Sequence, residues 1–411
     1  AAVVSLDQGR DGKAWLEGVS RWNTRWANNY QIGAAVAMGC VGDARGALLE
    51  MADVERGPGQ ILMSDGTSWV WSDDALPYYM LQWHRYNEAT GDDLEAQLAG
   101  PVGRSFERFM ATRDLAGTGL AGWHRGCNSF LYQADNLNLP GQALSPSIMV
   151  AQMRRTLARA AEAAGDAATA RQQRYAADLV ERELMRRFWD PARGAFTPGI
   201  DTLGMAQQKG YYTDFVFPAL YSQLSPYVTW TTLAAADERL WTDTGLMRAG
   251  EFLPSGFGND FVGFVQPCEA AEAYAALGRP ERCQALLARM AEAITTKTDC
   301  PGSAPESCDG DGFGCHAYTF GNPAGAFVLG AIQGLFGLYR TQRGQGLTWR
   351  PALPDDWEEG ELQLADLTVS FRGRGHERHY ACTQQKPRSL CLQLFCAANE
   401  EITATDEAGR N

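Results

Sequence analysis

Two loops carry carboxyl groups in settings suited to acid and base chemistry. Asp135 ends the run Trp123-His-Arg-Gly-Cys-Asn-Ser-Phe-Leu-Tyr-Gln-Ala-Asp, where Ala134, Leu137 and Tyr132 surround it with apolar surface. Removing a carboxyl from water disfavours its charged form, so an Asp placed this way can hold a proton and deliver it as a general acid. The competing reading is an Asp that caps a turn. In the same loop Trp123 and Tyr132 offer rings for the C–H face of a sugar, and His124 and Arg125 offer hydrogen bonds to hydroxyls or to an acidic group. Glu306 lies in Ala-Pro-Glu-Ser-Cys, where Pro305 and the nearby Cys300, Cys308 and Cys315 can hold it rigidly. Its competing reading is a solvated loop Glu. Two carboxyl groups are what glycosidic cleavage needs: one protonates the leaving oxygen, and the other activates water or attacks carbon.

Other groups could line the same site. Trp71 precedes Ser72-Asp73-Asp74, a helix entry in which Asp74 is either a first-turn acid or a substrate contact. Tyr212 and Asp214 in Tyr-Tyr-Thr-Asp, and Glu269 in Phe-Val-Gln-Pro-Cys-Glu, also begin helical stretches, and either acid could stand in for Asp135. His316 follows Cys315 and is a further substrate contact. Asp309-Gly-Asp-Gly suits a structural calcium ion by its closely spaced oxygens, although the full EF-hand pattern is missing. Cys308, Cys315 and His316 lack the paired spacing of a zinc site. There is no GxSxG elbow, Walker loop or dinucleotide fingerprint, so no other cofactor is expected.

These loops need a scaffold. Val41-Gly-Asp, Thr90-Gly-Asp, Ala164-Gly-Asp and Leu277-Gly-Arg-Pro each read as a tight turn between helices, with Gly capping one helix and Asp or Pro opening the next. Helical spacing of apolar residues supports 76–88, 93–113, 146–163, 167–188 and 283–293. Between the hairpins run long segments rich in Gly, Pro, Asp and aromatic residues: 55–74, 114–145, 190–212, 241–260 and 296–318. If alternate connections are tight, the long ones gather at the opposite end of the helices, and that rim carries the function. About eleven helices are expected before Arg340, the last spanning 326–339, and alternating strands follow at 347–349, 362–364, 367–371 and 390–395. The expected fold is mostly α: a toroid of helical hairpins over 1–342 with a small β-sandwich-like module over 343–411.

Composition narrows the partners. The 411 residues carry a net charge of −13 and no cluster of Lys and Arg, which argues against nucleic acid and fits a neutral or weakly charged substrate. The longest apolar stretch, 326–339, is too short to span a bilayer. Twelve Trp suit either a sugar-binding surface or the core. Ten Cys, with triplets at 300, 308, 315 and 382, 391, 396, suggest local disulfide loops and a secreted or periplasmic protein. The sequence starts without Met and stops after a strand-like stretch, as a piece of a longer polypeptide would. Oligomeric state is left open.

Four features carry a family resemblance. The helical hairpins, the Trp71-Ser-Asp-Asp-Ala-Leu-Pro helix entry, the Gly310-Asp-Gly-Phe-Gly-Cys-His-Ala-Tyr run and the Leu347-Thr-Trp-Arg-Pro-Ala-Leu-Pro-Asp-Asp-Trp segment resemble the six-hairpin (α/α)6-barrel glycoside hydrolases. That group includes α-L-rhamnosidases, trehalases and processing α-glucosidases. The resemblance implies an inverting, exo-acting glycosidase working on an oligo- or polysaccharide. It places the acid in a mid-chain rim loop, hence Asp135, and the base in the loop before the last helix, hence Glu306. Two other activities fit the same toroid: a polysaccharide lyase or sugar epimerase using Tyr132, His124, Arg125 or His316, and a non-catalytic glycan-binding domain.

Overall fold

A helix that is buried over most of its surface must be covered by neighbours on several sides, and alternate helices of this chain are buried more fully than their hairpin partners. A computed structural model of the protein describes residues 10–11, 14–15, 28–53, 75–114, 116–122, 141–251, 262–315, 321–374 and 377–394. In chain order the helices are α1 (Asn28–Met38), α2 (Val41–Asp53), α3 (Ala75–Thr90), α4 (Leu94–Arg113), α5 (Leu144–Ala163) and α6 (Ala167–Arg187). They continue with α7 (Tyr212–Tyr221), α8 (Pro226–Arg239), α9 (Val265–Ala276), α10 (Pro280–Thr295) and α11 (Gly321–Leu329), which runs on as a wider π turn over Gly330–Leu335.

The odd-numbered helices form a closed inner ring. Each packs on the next, from α1 through α3, α5, α7 and α9 to α11, and α11 packs back on α1. The even-numbered helices lie outside, each against its hairpin partner. Burial follows this division: every residue of α9 from Val265 to Ala275 is buried, whereas α6 buries only Ala170, Ala177, Val180, Glu181 and Leu184. Ring closure depends on small residues. At Gly325 of α11 an added Cβ would lie 2.6 Å from the backbone carbon of Tyr30, so α1 and α11 touch backbone to backbone.

The connections alternate as expected. Short turns join α1 to α2, α3 to α4, α5 to α6, α7 to α8 and α9 to α10, and long segments return the chain to the N-terminal end of the next inner helix. At the α5–α6 turn, Gly165 takes φ +78° and the Asp166 side chain accepts the Thr169 N–H, the cap pattern that the sequence implies. One turn differs. The glycine that breaks α1 is Gly39 at φ +88°, three residues earlier than expected, where the Cys40 N–H closes back onto the Ala35 carbonyl, and Gly42 lies inside α2. The Ser222–Ser225 turn carries no Gly-Asp pair; Ser225 caps α8 with Pro226 in its first turn.

The last inner helix begins and ends earlier than the expected 326–339. Its successor is a strand, Leu338–Thr341, that pairs antiparallel with Gly346–Trp349, which in turn runs parallel to Ser389–Leu392. A second sheet contains Glu359–Gln363, Leu367–Arg374 and Glu377–Gln384. Trp349 meets Tyr380 edge to face between the sheets, 5.4 Å between ring centres. Asp366 fastens this module to the barrel through Arg340, which also caps the α1 carbonyls of Val36 and Ala37, and links the two sheets of the module through Arg388.

The expected disulfide loops do not form among the described residues. Cys300, Cys382 and Cys391 are thiols. Cys382 and Cys391 lie in different sheets, and Cys300 Sγ is 3.5 Å from Ser303 Oγ. Asp309 Oδ1 accepts the N–H groups of Asp311 and Phe313, which closes the turn from within. Among the described residues no three His, Cys, Asp or Glu side chains converge as a metal ion needs, and no helix is long and apolar enough to cross a membrane.

Candidate active site

All six inner helices point their N-terminal ends toward the long segments, so their positive dipole ends face the rim. Two carboxyl groups are buried beneath it. Glu269 sits just over one turn into α9, only 5% exposed. The local chain explains its position. Val262–Gly263 pairs with Ser307–Cys308, the Phe264 N–H donates to the Glu306 carbonyl, and the helix starts at Val265 with Pro267 in its first turn.

Phenol hydroxyls surround Glu269. Tyr78 of α3 and Tyr221 of α7 donate to Oε1 at 3.2 and 2.6 Å, and Tyr212 of α7 donates to Oε2 at 2.8 Å. Tyr30 of α1 donates in turn to the Tyr78 oxygen at 2.9 Å. Phe217 holds the rings in place, packing edge to face against Tyr78, Tyr212 and Tyr221. Because α3 and α9 are not neighbours in the ring, a carboxyl that binds residues of both lies near the barrel axis. Burial raises the Glu269 pKa, and the hydrogen bonds from Tyr221 and Tyr212 oppose that rise without cancelling it.

Asp214 is the second buried acid, 2% exposed in the first turn of α7. Its Oδ2 accepts the Tyr211 N–H at 3.0 Å, and its Oδ1 lies 2.5 Å from the hydroxyl of Ser145 in the first turn of α5. Ser145 is held there by the pairing of Gly141–Ala143 with Gly199–Asp201, which delivers the chain to the start of α5. Burial pushes the Asp214 pKa up to about 7; Glu251 adds to the rise, and the Ser145 and Tyr211 hydrogen bonds work against it. A carboxyl that exchanges its proton near neutral pH is the kind that general acid catalysis uses.

Four of the residues singled out in the sequence, Tyr212, Asp214, Glu269 and Glu306, fall within the described structure, and it joins Tyr212 to Glu269. Tyr212 and Asp214 share the first turn of α7, and Tyr212 binds Glu269 of the adjacent α9. Glu306 is half-buried in the segment before α11, and its backbone is fastened to the start of α9. Asp135, Trp71, Asp74, Trp123, His124, Arg125, Tyr132 and His316 lie outside the described residues. Sequence reasoning missed Tyr30, Tyr78 and Tyr221. Each is a buried ring on an inner helix, and such rings read as core until their hydroxyls are traced to one partner.

No protein-family model and no curated protein matches the sequence. Solved structures do match in three dimensions. A GH78 family rhamnosidase of a Bacillus species superposes with a TM-score of 0.64 at 15% identity, covering 91% of this chain. The chain spans only 38% of that protein's length. A GH63 mannosylglycerate hydrolase from Thermus thermophilus, in complex with glucose, gives a TM-score of 0.59 at 14% identity over 79% of this chain and 98% of its own. A wild-type glycosidase gives 0.60 at 14% identity over 80% of this chain and 95% of its own. With the closed ring of inner helices, the buried carboxyl groups beneath the rim and these superpositions, the chain has the six-hairpin (α/α)6-barrel fold of the glycosidases.

Proposed function

We propose that the protein is a glycoside hydrolase that cleaves a bond of an oligo- or polysaccharide by inversion, working from a chain end. The observation that carries the reading is the pair of buried carboxyl groups, Asp214 and Glu269, on neighbouring inner helices beneath the rim of long segments. The similarity to solved glycosidases supports it through the fold they share. Asp214 acts as proton donor, in the role expected of Asp135, because its surroundings hold a proton up to about pH 7. Glu306 acts as base toward water from the segment before α11.

Glu269 has a different task. Bound by three tyrosine hydroxyls near the barrel axis, its carboxyl forms a polar floor beneath the sugar ring. Long segments on one rim favour a walled pocket, and therefore exo action.

The test is release of reducing sugar from a panel of plant and microbial oligosaccharides, run beside Glu306→Gln. Turnover by the wild type and a loss of roughly a hundredfold or more in the variant support the proposal. A product with ultraviolet absorbance from a new double bond would make the protein a lyase. Saturable glycan binding without turnover would make it a binding domain.

A further inference from the structure

Asp214 belongs to a small buried circuit of hydroxyls. Ser145, in the first turn of α5, brings its Oγ within reach of two acceptors in the first turn of α7: Asp214 Oδ1 at 2.5 Å and Thr213 Oγ1 at 2.9 Å. Ser145 and Thr213 are fully buried. A serine hydroxyl carries a single hydrogen, so it donates to one of these acceptors at a time.

The charge on Asp214 decides which. An ionised carboxylate is a much stronger acceptor than a hydroxyl, so it draws the Ser145 hydrogen, and Thr213 can then donate to the Ser145 oxygen. Once the carboxyl is protonated it accepts more weakly, and the Ser145 hydrogen turns to Thr213 Oγ1. No heavy atom moves between the two arrangements, because Asp214 Oδ2 stays on the Tyr211 N–H at 3.0 Å in both. The charges nearby do not take over this work. The first turn of α5 carries no acid, Glu251 beyond α8 favours the protonated form of Asp214, and Arg239 of α8 lies 4.0 Å from Glu251. The groups that favour the ionised form are the hydrogen bonds from Ser145 and Tyr211.

We propose that Ser145 is a positioning residue for the proton donor: its hydroxyl turns from Thr213 to Asp214 as the acid gives up its proton, and so stabilises the charged form that each turnover leaves behind. This rests on the reading of Asp214 as the donor. The Asp214 proton goes to the departing glycosidic oxygen, and Ser145 keeps its own hydrogen and only reorients it. Exchange with solvent then returns to Asp214 a proton equivalent to the one that Glu306 takes from water.

The test is carbon-13 NMR of the full chain labelled in its aspartate carboxyl groups, titrated in the wild type, Ser145→Ala and Ser145→Cys. Asp214→Asn assigns the Asp214 signal. The cysteine variant keeps a side chain of similar size but donates weakly, which separates loss of the bond from loss of packing. Both variants are expected to raise the Asp214 pKa, by about one unit or more in Ser145→Ala. On a hydrolysed glycan the alkaline limb of kcat/KM is expected to move upward by the same amount, a shift that a purely structural loss of activity does not produce. An Asp214 pKa unchanged in both variants overturns the role of Ser145; this titration needs no substrate, so it stands whatever the activity. A raised pKa with an unmoved alkaline limb overturns Asp214 as the donor and, with it, the catalytic part of the proposal.

Discussion

The Tyr221 hydroxyl donates to Glu269 Oε1 at 2.6 Å, while the same residue lines a cavity at the far end of the barrel. One side chain therefore separates the buried acid from that cavity. Tyr221→Phe keeps the ring and its packing on Phe217 but removes one donor from a buried carboxyl. The expected cost is about 1.5 to 3 kcal/mol in urea unfolding. It also withdraws an influence that lowers the Glu269 pKa, so that pKa rises further. A variant as stable as the wild type would mean that the other tyrosines suffice.

Asp214 gives a pH dependence with a definite sign. Its folded-state pKa of about 7 lies above its ordinary 3.8, so the folded protein binds a proton that the unfolded chain has released. The stabilisation is complete below about pH 4 and is lost as pH rises through 7, by roughly 4 kcal/mol at most. Asp214→Asn removes that slope. Denaturation midpoints of the two proteins, compared at pH 5 and pH 8, check it: the wild type loses stability relative to the variant on going to pH 8.

Gly325 closes the ring. A methyl group there meets the Tyr30 and Gln31 backbone at 2.6 to 2.7 Å, atoms that cannot swing aside. Gly325→Ala is expected to cost about 1 to 3 kcal/mol or more, read as a lower melting temperature, although alanine normally favours helix.

The latch between barrel and β module responds to acid in the opposite sense. Burial tends to raise the Asp366 pKa, but Arg340 and Arg388 outweigh it and hold the carboxyl below its ordinary range. Its contribution is present above that range and disappears as pH falls through the depressed value. Asp366→Asn leaves the Arg340 and Arg388 guanidinium groups without their carboxylate, and about 3 kcal/mol is the expected loss. Limited proteolysis between Leu335 and Gly346 should then speed up.

The architecture was legible because its punctuation is chemical. Gly165-Asp166 and Gly278-Arg-Pro mark turns by caps that few other residues can supply, and the apolar spacing between them has one reading. The turn at Gly39 was misplaced because Gly42, followed by Asp43, imitates the same pattern inside a helix. The last helix was placed too late because 326–339 is apolar throughout, and periodicity cannot separate a buried π turn from the strand that follows it. Within the site, Asp214 and Glu269 could be found as acids that open helices. Nothing local in the sequence joins Tyr30, Tyr78 and Tyr221 to Glu269, because their meeting is a property of ring closure.

Time-resolved proton NMR of glycan hydrolysis tests the central claim most directly, with wild type, Asp214→Asn and Glu306→Gln observed on the same substrate. The account predicts that the wild type releases a monosaccharide first as the inverted anomer and that both variants slow this by roughly a hundredfold or more. Full activity in both variants, or a first product with retained configuration, would contradict it.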